Sequence, residues 1–300
     1  MEGLWLSLMI GNSRLHWALM EGSKVLESWD TDHLRKFEEE HSTAVDVVEE
    51  GLPLSFITPS RARQMLYESK TVDDDAHPAE DDNDPSASLP ADPRRFKVAS
   101  VVPEEFERWR GRCPGISLIS SRDALDGVYP TLGVDRALAV RGASQVRGWP
   151  VMVVDCGSAL TFTAADARGK LAGGAILPGV RLQLAVLGTR TAQLPSDVVL
   201  PDELPPRWAM DTSGGIQAGV MWTIVAGIHS FIRDRWKLEP DATVIFTGGD
   251  GKVLHRAVLA ILEEEGDLAP FRDCVKFVGE VIHWGIADLA LERGESPMAS

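Results

Sequence analysis

The chain has 300 residues, 44% of them hydrophobic, and a formal net charge of −15 at pH 7. This length and apolar content suffice for two lobes, each with its own core. The acidic balance argues against a nucleic-acid-binding protein, because a basic face would require strong segregation of charge.

The spacing of the cysteines and histidines and the length of the apolar runs argue against further classes of protein. The three cysteines are scattered without a paired motif, which suits a reducing cytosol, and the seven histidines show no metal-ligand spacing. No apolar run approaches the roughly 20 residues of a membrane span, and the N-terminus lacks the pattern of a signal peptide. We therefore expect a soluble cytoplasmic protein that binds neither nucleic acid nor membranes.

The first half of the chain opens on a hairpin pattern. Two apolar runs between residues 4 and 20 flank Gly11-Asn12-Ser13, and Gly and Asn tolerate the positive φ of tight turns. The residues that follow predict strands at 24–28, 54–58 and 96–103 and helices at 32–50, 104–112 and 135–147. The run 71–95 is acidic and rich in Pro and Ser, which predicts a disordered insertion.

The second half repeats this opening. A buried strand at Val151–Cys156 meets a Gly-Ser turn, and strands at 160–166 and 171–177 follow. Helices are predicted at 180–194, burying Leu182, Ala185 and Leu187, and at 213–236, burying Ile216, Val220, Ile224, Gly227 and Phe231. A strand then enters a glycine turn at 243–251, and a helix ends the chain. Two matching hairpins predict a duplicated α/β fold, with domains 1–140 and 141–295 and a cleft between them.

Three motifs offer chemistry, and each has an ordinary structural alternative. Asp155 ends a buried strand just before a Gly-Ser turn, where it can bind a cation or merely cap the turn. Asp135 and Arg136 lie at a predicted helix start. The carboxylate can be a general base beside a guanidinium that binds an anion, or Asp135 can be an ordinary N-cap. The glycine pair at 248–249 can lie against a ligand or form an ordinary turn.

The order of these motifs resembles a known enzyme family. Six stretches of the chain resemble, in the same order, the motif series of type III pantothenate kinases. They are "IGNSRLHWAL", "VASVVP", "GVDRALAVRGA", "VVDCGSALTFTAADARGKLAGGAILPGVRLQLAVLGTRTAQLP", "TSGGIQAGV" and "VIFTGGD". The resemblance covers nearly the whole chain except the insertion at 71–95. It implies the acetate/sugar kinase–heat-shock 70–actin superfamily, in which two ribonuclease-H-like lobes each present a hairpin to the phosphates of ATP. It further implies a cytoplasmic homodimer that phosphorylates pantothenate to 4′-phosphopantothenate, the first step of coenzyme A biosynthesis.

The resemblance also implies roles for individual residues. Asp135 would be the catalytic base that takes the proton of the pantothenate primary hydroxyl. Asp155 would bind a monovalent cation, K⁺ or NH₄⁺, while Mg²⁺ would bridge the phosphates of ATP. The implied pantothenate-binding residues are Tyr129, Gly133, Val134, Asp135, Arg136 and Thr212. The implied ATP-binding residues are Met9, Ile10, Gly11, Asn12, Ser13, Arg14, Leu15, His16 and Ser158.

The chain departs from the family pattern at Met9, where the family usually has Asp. A thioether is uncharged and a poor ligand for the hard Mg²⁺ ion. This prompts an alternative, a catalytically impaired pseudokinase that binds nucleotide and regulates. A sister kinase acting on another small alcohol is a third hypothesis. The retained Asp135, Arg136, Asp155 and Thr212 favour the active pantothenate kinase.

Overall fold

The computed structural model describes residues 4–36, 96–113, 116, 118–190, 194–195, 197–265 and 272–293. The predicted insertion at 71–95, the strand at 54–58 and most of the helix at 32–50 lie outside these residues. The chain divides into two compact units. The first unit comprises Met1–Ala124, Val128–Gly142 and Ile282–Ser300, and the second comprises Leu125–Gly127 and Ala143–Val281.

The first unit is built on a five-stranded sheet with strand order β3-β2-β1-β4-β5. Its strands are β1 Leu4–Ile10, β2 Leu15–Glu21, β3 Lys24–Thr31, β4 Phe96–Ser100 and β5 Leu118–Ile119. The first three strands are antiparallel, and β4 and β5 run parallel to β1. Its helices are α1 Pro103–Arg112, α2 Ser121–Ala124, most of α3 Val134–Arg147, and α7 Val281–Glu292.

The second unit repeats this arrangement. Its strands are β6 Val151–Cys156, β7 Ala159–Ala165, β8 Leu171–Pro178, β9 Thr243–Thr247 and β10 Val275–Phe277, in the order β10-β9-β6-β7-β8. Its helices are α4 Val180–Arg190, α5 Thr212–Leu238 and α6 Gly251–Glu264. Again three consecutive strands are antiparallel and the last two run parallel to the first. The predicted α/β class and its internal duplication are therefore confirmed.

Strand β1 separates two environments in the first unit, because successive side chains point to opposite faces of a sheet. Leu6, Leu8 and Ile10 join the hydrophobic cluster of this unit. On the other face Ser7 and Met9 are also buried.

The C-terminal helix was expected in the second domain, and that part of the predicted boundary at 141–295 is wrong. Helix α7 belongs to the first unit. Ser7 Oγ and His283 Nδ1 form a hydrogen bond of 2.8 Å, and Arg141 Nε donates to Asp288 Oδ2 at 2.6 Å. The apolar pattern of α7 predicts a helix but does not indicate which of two similar sheets it covers.

Helix α7 approaches α3 so closely that Gly285 has no space for a side chain. A Cβ at this position would lie 2.1 Å from the backbone oxygen of Leu138. Gly285→Ala is expected to lower the free energy of unfolding by about 1–3 kcal/mol, because the helices must separate. Urea unfolding measures this change. The matched control is Gly111→Ala in α1, where no atom lies within 4 Å of the added Cβ and a small gain is expected. Equal stability of the two variants would contradict the close approach.

Helix α5 is the core helix of the second unit. It is long and apolar enough to span a membrane, contrary to the expectation that no such run exists, yet 44% of its most apolar stretch is buried inside the protein. Core helices of globular proteins can have the same length and composition. Ile216, Val220 and Ile224 are buried as predicted, whereas Phe231 is 44% exposed and stacks on Phe162.

Candidate active site

The turn between β1 and β2 is the exposed part of the predicted ATP-binding segment. Gly11 N donates to Arg14 O at 3.0 Å, which closes the turn. Residues 12–14 are exposed and His16 is partly exposed. Met9, Ile10 and Leu15 are at most 1% exposed, so their side chains lie beneath the turn rather than at its surface.

The turn before α3 and the first residues of this helix gather three of the predicted pantothenate-binding residues. Asp135 Oδ1 accepts a hydrogen bond of 2.7 Å from the backbone N–H of Arg136. The Arg136 guanidinium is buried, and its Nη1 donates to the Tyr129 hydroxyl at 3.2 Å. Val134, which was also predicted, turns its side chain into the interior. The structure therefore places a carboxylate, a guanidinium and a phenol within one short segment.

Gly133 makes room for the Asp135 carboxylate. A Cβ at Gly133 would lie 2.3 Å from Asp135 Oδ1 and 3.8 Å from Val101 Cγ1. Val101 in turn donates its backbone N–H to Ile10 O at 3.0 Å, at the end of the strand that enters the hairpin turn. Val101 thus connects the Asp135 segment to the hairpin within the first unit.

Burial changes the acidity of Asp135. Desolvation raises the pKa of this carboxyl, while the backbone N–H of Arg136 and the guanidinium charge oppose the rise. A general base works best when its pKa lies near the operating pH, so the direction of this shift suits proton abstraction.

The second unit places Asp155 beside the glycine turn that follows β9. Asp155 pairs with Thr161 on β7 and with Thr247 on β9. Gly248 has φ +82°, and a Cβ there would lie 2.6 Å from Asp155 Oδ1. Asp250 N donates to Cys156 O at 3.0 Å, which ties the turn to the end of β6. The structure therefore brings together the two glycine motifs of this unit.

The backbone of Gly179, just before α4, packs closely against the Gly-Ser turn between β6 and β7. Ser158 is exposed, and its carbonyl accepts a hydrogen bond of 2.9 Å from Gly179 N. A Cβ at Gly179 would lie 2.1 Å from Gly157 O, so a larger residue there would displace the turn.

Thr212 is the first residue of α5, but the N-cap is Asp211, whose carboxylate accepts a hydrogen bond of 2.8 Å from Gly214 N. Thr212 lines a groove between α4 and α5, and neither Asp155 nor Ser158 contributes to that groove.

Sequence reasoning missed three polar residues near these turns, Arg181, Asp30 and His33, whereas His16 was among the predicted ATP-binding residues. Arg181 Nε donates to the buried carboxylate of Asp250 at 2.8 Å. In the first unit, His16 Nδ1 lies 2.7 Å from Asp30 Oδ1, and His33 Nε2 lies 2.8 Å from Gly11 O. The signal for the His16–Asp30 pair is strand register, since the two residues are cross-strand partners.

The donor groups limit the kind of metal site. In the part of the chain that the structure describes, no three His, Cys, Asp or Glu side chains form a cluster able to hold a metal ion. Mg²⁺ commonly uses one or two carboxylates together with substrate phosphates and water. The carboxylate of Asp155 therefore fits a role beside a metal–nucleotide complex, and it does not fit a metal cage made by the protein alone.

Comparisons with known proteins decide the family. A family model described as type III pantothenate kinase matches residues 86–234. A type III pantothenate kinase from Nostoc sp. is 39% identical over 261 residues, covering 87% of this chain and 87% of that protein. The chain belongs to the type III pantothenate kinase family. Another family member, from Synechocystis sp., is 39% identical over 252 residues, covering 84% of this chain and 79% of its own length. The predicted family and enzyme class are confirmed.

A solved structure supports the fold. A Campylobacter jejuni protein described as a Baf family transcriptional activator superposes with a TM-score of 0.52 at 17% identity. The match covers 96% of this chain and 98% of that one. At this identity the likeness concerns the fold alone, and it extends over both units of this pantothenate kinase family member.

Proposed function

We propose that the chain transfers the γ-phosphoryl group of ATP to the primary hydroxyl of pantothenate, giving ADP and 4′-phosphopantothenate. This reaction begins coenzyme A synthesis. The observation that carries the proposal is the cluster of Tyr129, Asp135 and Arg136 in a chain whose relatives are named pantothenate kinases. The findings give no support to the impaired pseudokinase.

Asp135 is the general base of the proposed reaction. Its Oδ1 is held by the Arg136 N–H, which leaves Oδ2 to accept the proton of the substrate hydroxyl. As the hydroxyl oxygen of pantothenate forms its bond to the γ-phosphorus, the bond between that phosphorus and the oxygen that bridges it to the β-phosphate breaks, and ADP leaves. Phosphoryl transfer depends mainly on positioning and charge stabilisation, so the base acts on an alcohol already in line.

Arg136 is the anion-binding residue of the acceptor site. Pantothenate carries a carboxylate, and a guanidinium binds a carboxylate through charge-assisted hydrogen bonds. The Tyr129 hydroxyl holds the Arg136 side chain, which is largely removed from water. A guanidinium fixed in this way loses less conformational entropy when substrate binds.

The two hairpin turns are the proposed contacts for ATP. In the first unit, the turn at 11–14 offers backbone N–H groups and small polar side chains, and in the second Ser158 offers a hydroxyl. Asp155 would hold the monovalent cation, K⁺ or NH₄⁺, and bound Mg²⁺ would neutralise charge on the phosphates.

The quaternary structure and location are further proposals. Leu182 and Val186 on α4 and Phe231 on α5 are large exposed apolar residues, and a subunit interface would cover such surface. We propose a cytoplasmic homodimer. The cleft between the two lobes stays a prediction.

A coupled assay for ADP release tests the proposed function. With ATP, Mg²⁺ and pantothenate, we expect ADP release in KCl or NH₄Cl and a several-fold lower rate in NaCl. The matched control substrate is 4′-deoxypantothenate, which lacks the acceptor hydroxyl and should give only background release. Absence of pantothenate-dependent turnover in both K⁺ and NH₄⁺ would refute the proposal.

A further inference from the structure

Two carboxylates converge at the carboxyl end of β6 in the second unit. Asp155 is the penultimate residue of this strand, and Asp250 donates its backbone N–H to Cys156 O at 3.0 Å. The charges of both carboxylates, together with burial, raise the pKa of the Cys156 thiol, so both lie near it. Asp250 is buried, and an ionised group removed from water requires a partner.

Arg181 supplies the partner of Asp250 from the first turn of α4. Its Nε donates to Asp250 Oδ1 at 2.8 Å, and the side chain of Arg181 is 71% exposed whereas that of Asp250 is 6% exposed. A cation in the first turn of a helix is opposed by the helix dipole. The carboxylate of Asp250, and not the helix, therefore favours a cation at this position.

The bond between Arg181 and Asp250 completes a closed ring of contacts at the end of β6. Two residues before Arg181, Gly179 donates its N–H to Ser158 O at 2.9 Å. Ser158 follows Cys156 by two residues, and Cys156 O accepts the bond from Asp250 N. Two backbone hydrogen bonds and one side-chain pair thus join the Gly-Ser turn, the start of α4 and the glycine turn after β9.

The Asp155 carboxylate lies beside both turns of this ring. Its Oδ1 would be 2.6 Å from a Cβ at Gly248 and 3.7 Å from a Cβ at Gly157. The pairing of β6 with β9 extends as far as Asp155 and Thr247, so the sheet fixes the two strands up to this point. Beyond it, the ring of contacts holds the two turns together.

We propose that Arg181 is a positioning residue, which through Asp250 holds the Gly-Ser turn and the glycine turn after β9 at a fixed separation around Asp155. The second-unit contacts for the monovalent cation and the nucleotide are then formed before either binds, so less conformational entropy is lost on binding. Arg181 acts through Asp250 rather than by contact with the ligand. The inference rests on the nucleotide and cation contacts of the proposed function and is independent of the acceptor alcohol.

Hydrogen exchange of the free full-length chain tests the ring without any ligand. Arg181→Met keeps most of the aliphatic stem and removes the donor, so the amides of Gly179 and Asp250 should exchange about fivefold faster. The matched control is Arg256→Met, because Arg256 is also exposed, lies on α6 and donates to a backbone carbonyl, that of Asp202. This control should leave both amides unchanged. Unchanged exchange in Arg181→Met would show that the pair does not hold the turns, and the inference would fail.

Calorimetric titration with ADP in KCl and MgCl₂ tests the consequence for binding. Arg181→Met is expected to bind ADP about fivefold more weakly and to require about fivefold more K⁺ for half-maximal kinase activity. KM for pantothenate, and kcat at saturating ATP and K⁺, should stay unchanged. Arg181→Lys keeps a cationic donor and should bind ADP within about twofold of the wild type. Asp250→Ala should match Arg181→Met, because the Asp250 carboxylate makes no cap hydrogen bond to α6.

Three further outcomes would overturn the inference. The first is equal ADP affinity of Arg181→Met and the wild type. The second is a further loss when Arg181→Met is added to Asp250→Ala, which would mean that Arg181 contacts the ligand itself. The third is an equal rise in KM for ATP and for pantothenate, which would indicate general damage.

Two comparisons keep the test decisive. Should Arg181→Met fail to fold, Arg181→Lys is compared with Asp250→Ala, and equal ADP affinity of these two variants would overturn the inference. If the wild type binds ADP but does not phosphorylate pantothenate, the proposed function fails, while hydrogen exchange and the ADP titrations still judge Arg181.

Discussion

Asp135→Asn is expected to lower kcat for pantothenate phosphorylation by about 100- to 10,000-fold. The amide oxygen can still accept the hydrogen bond from the Arg136 N–H, so the local structure is preserved. The amide cannot take a proton from the substrate hydroxyl. The coupled ADP-release assay measures the loss, and ADP binding should stay unchanged.

A matched Asp→Asn change separates loss of the base from general damage. Asp123, in the same unit, accepts hydrogen bonds from Ser120 and Arg293 and has no assigned chemical role. Asp123→Asn should keep kcat within about twofold while losing some stability, because each such bond contributes about 1 kcal/mol. An unchanged kcat for Asp135→Asn would refute the assignment of the base.

The pH dependence gives a second readout for Asp135. Only the ionised carboxylate accepts the proton, so kcat/KM should fall as pH falls through the pKa of Asp135. Burial raises that pKa, which places the acid limb above the ordinary Asp value of about 4. Between the pKa of Asp135 in the unfolded chain and its higher pKa in the folded protein, the folded state binds more protons. The free energy of unfolding therefore falls as pH rises through this range. Asp135→Asn should therefore melt no lower than the wild type at pH 8.

Met9→Asp is expected to lower the free energy of unfolding by about 3 kcal/mol or more, because it buries an ionised group. Met9 is 1% exposed on the face of β1 that also carries Ser7. His283, which bonds Ser7, offers no compensating charge, because burial lowers its pKa to about 3 and keeps it neutral. Urea unfolding at pH 8 measures the difference.

The control for this position is Met9→Leu, a swap of similar volume that should cost less than about 1.5 kcal/mol. It keeps the apolar packing and changes only the thioether. A Met9→Asp variant as stable as the wild type and faster in the kinase assay would contradict the expectation. It would indicate that position 9 reaches the nucleotide–metal complex in solution.

The strands and hairpins could be predicted because their signals are local. The apolar run and glycine turn predicted β6 at its observed bounds, Val151–Cys156. Asp135 and Arg136 were accessible for the same reason, and the resemblance to the kinase family added Tyr129, which lies within the same eight consecutive residues. A single turn and the start of one helix suffice to bring them together.

Contacts that depend on register or on the tertiary fold could not be predicted. His16 and Asp30 are 14 residues apart, and only the pairing of β2 with β3 makes them partners. Ser7 and His283 are 276 residues apart. No local pattern contains information about such pairs.

The buried face of α4 was predicted only in part, for a related reason: Leu187 packs against the core as predicted, but Leu182 and Ala185 do not. Leu182 is 53% exposed and Ala185 is exposed, whereas Val180 and Leu184 are buried. Apolar residues occur on every side of this helix, so periodicity does not select a face. The contacts that bury Val180 and Leu184 come from other elements of the second unit, such as α5, and are not encoded in the sequence of α4 alone.

The placement of α7 in the first unit has a consequence for synthesis on the ribosome. The hairpin that carries Gly11 is synthesised before the second unit, yet the helix that bonds Ser7 is synthesised after it. Domains generally fold as units, so a unit needs all of its elements before it can fold. The second unit can therefore complete its core during translation, while the earlier-made first unit waits for α7 to leave the exit tunnel.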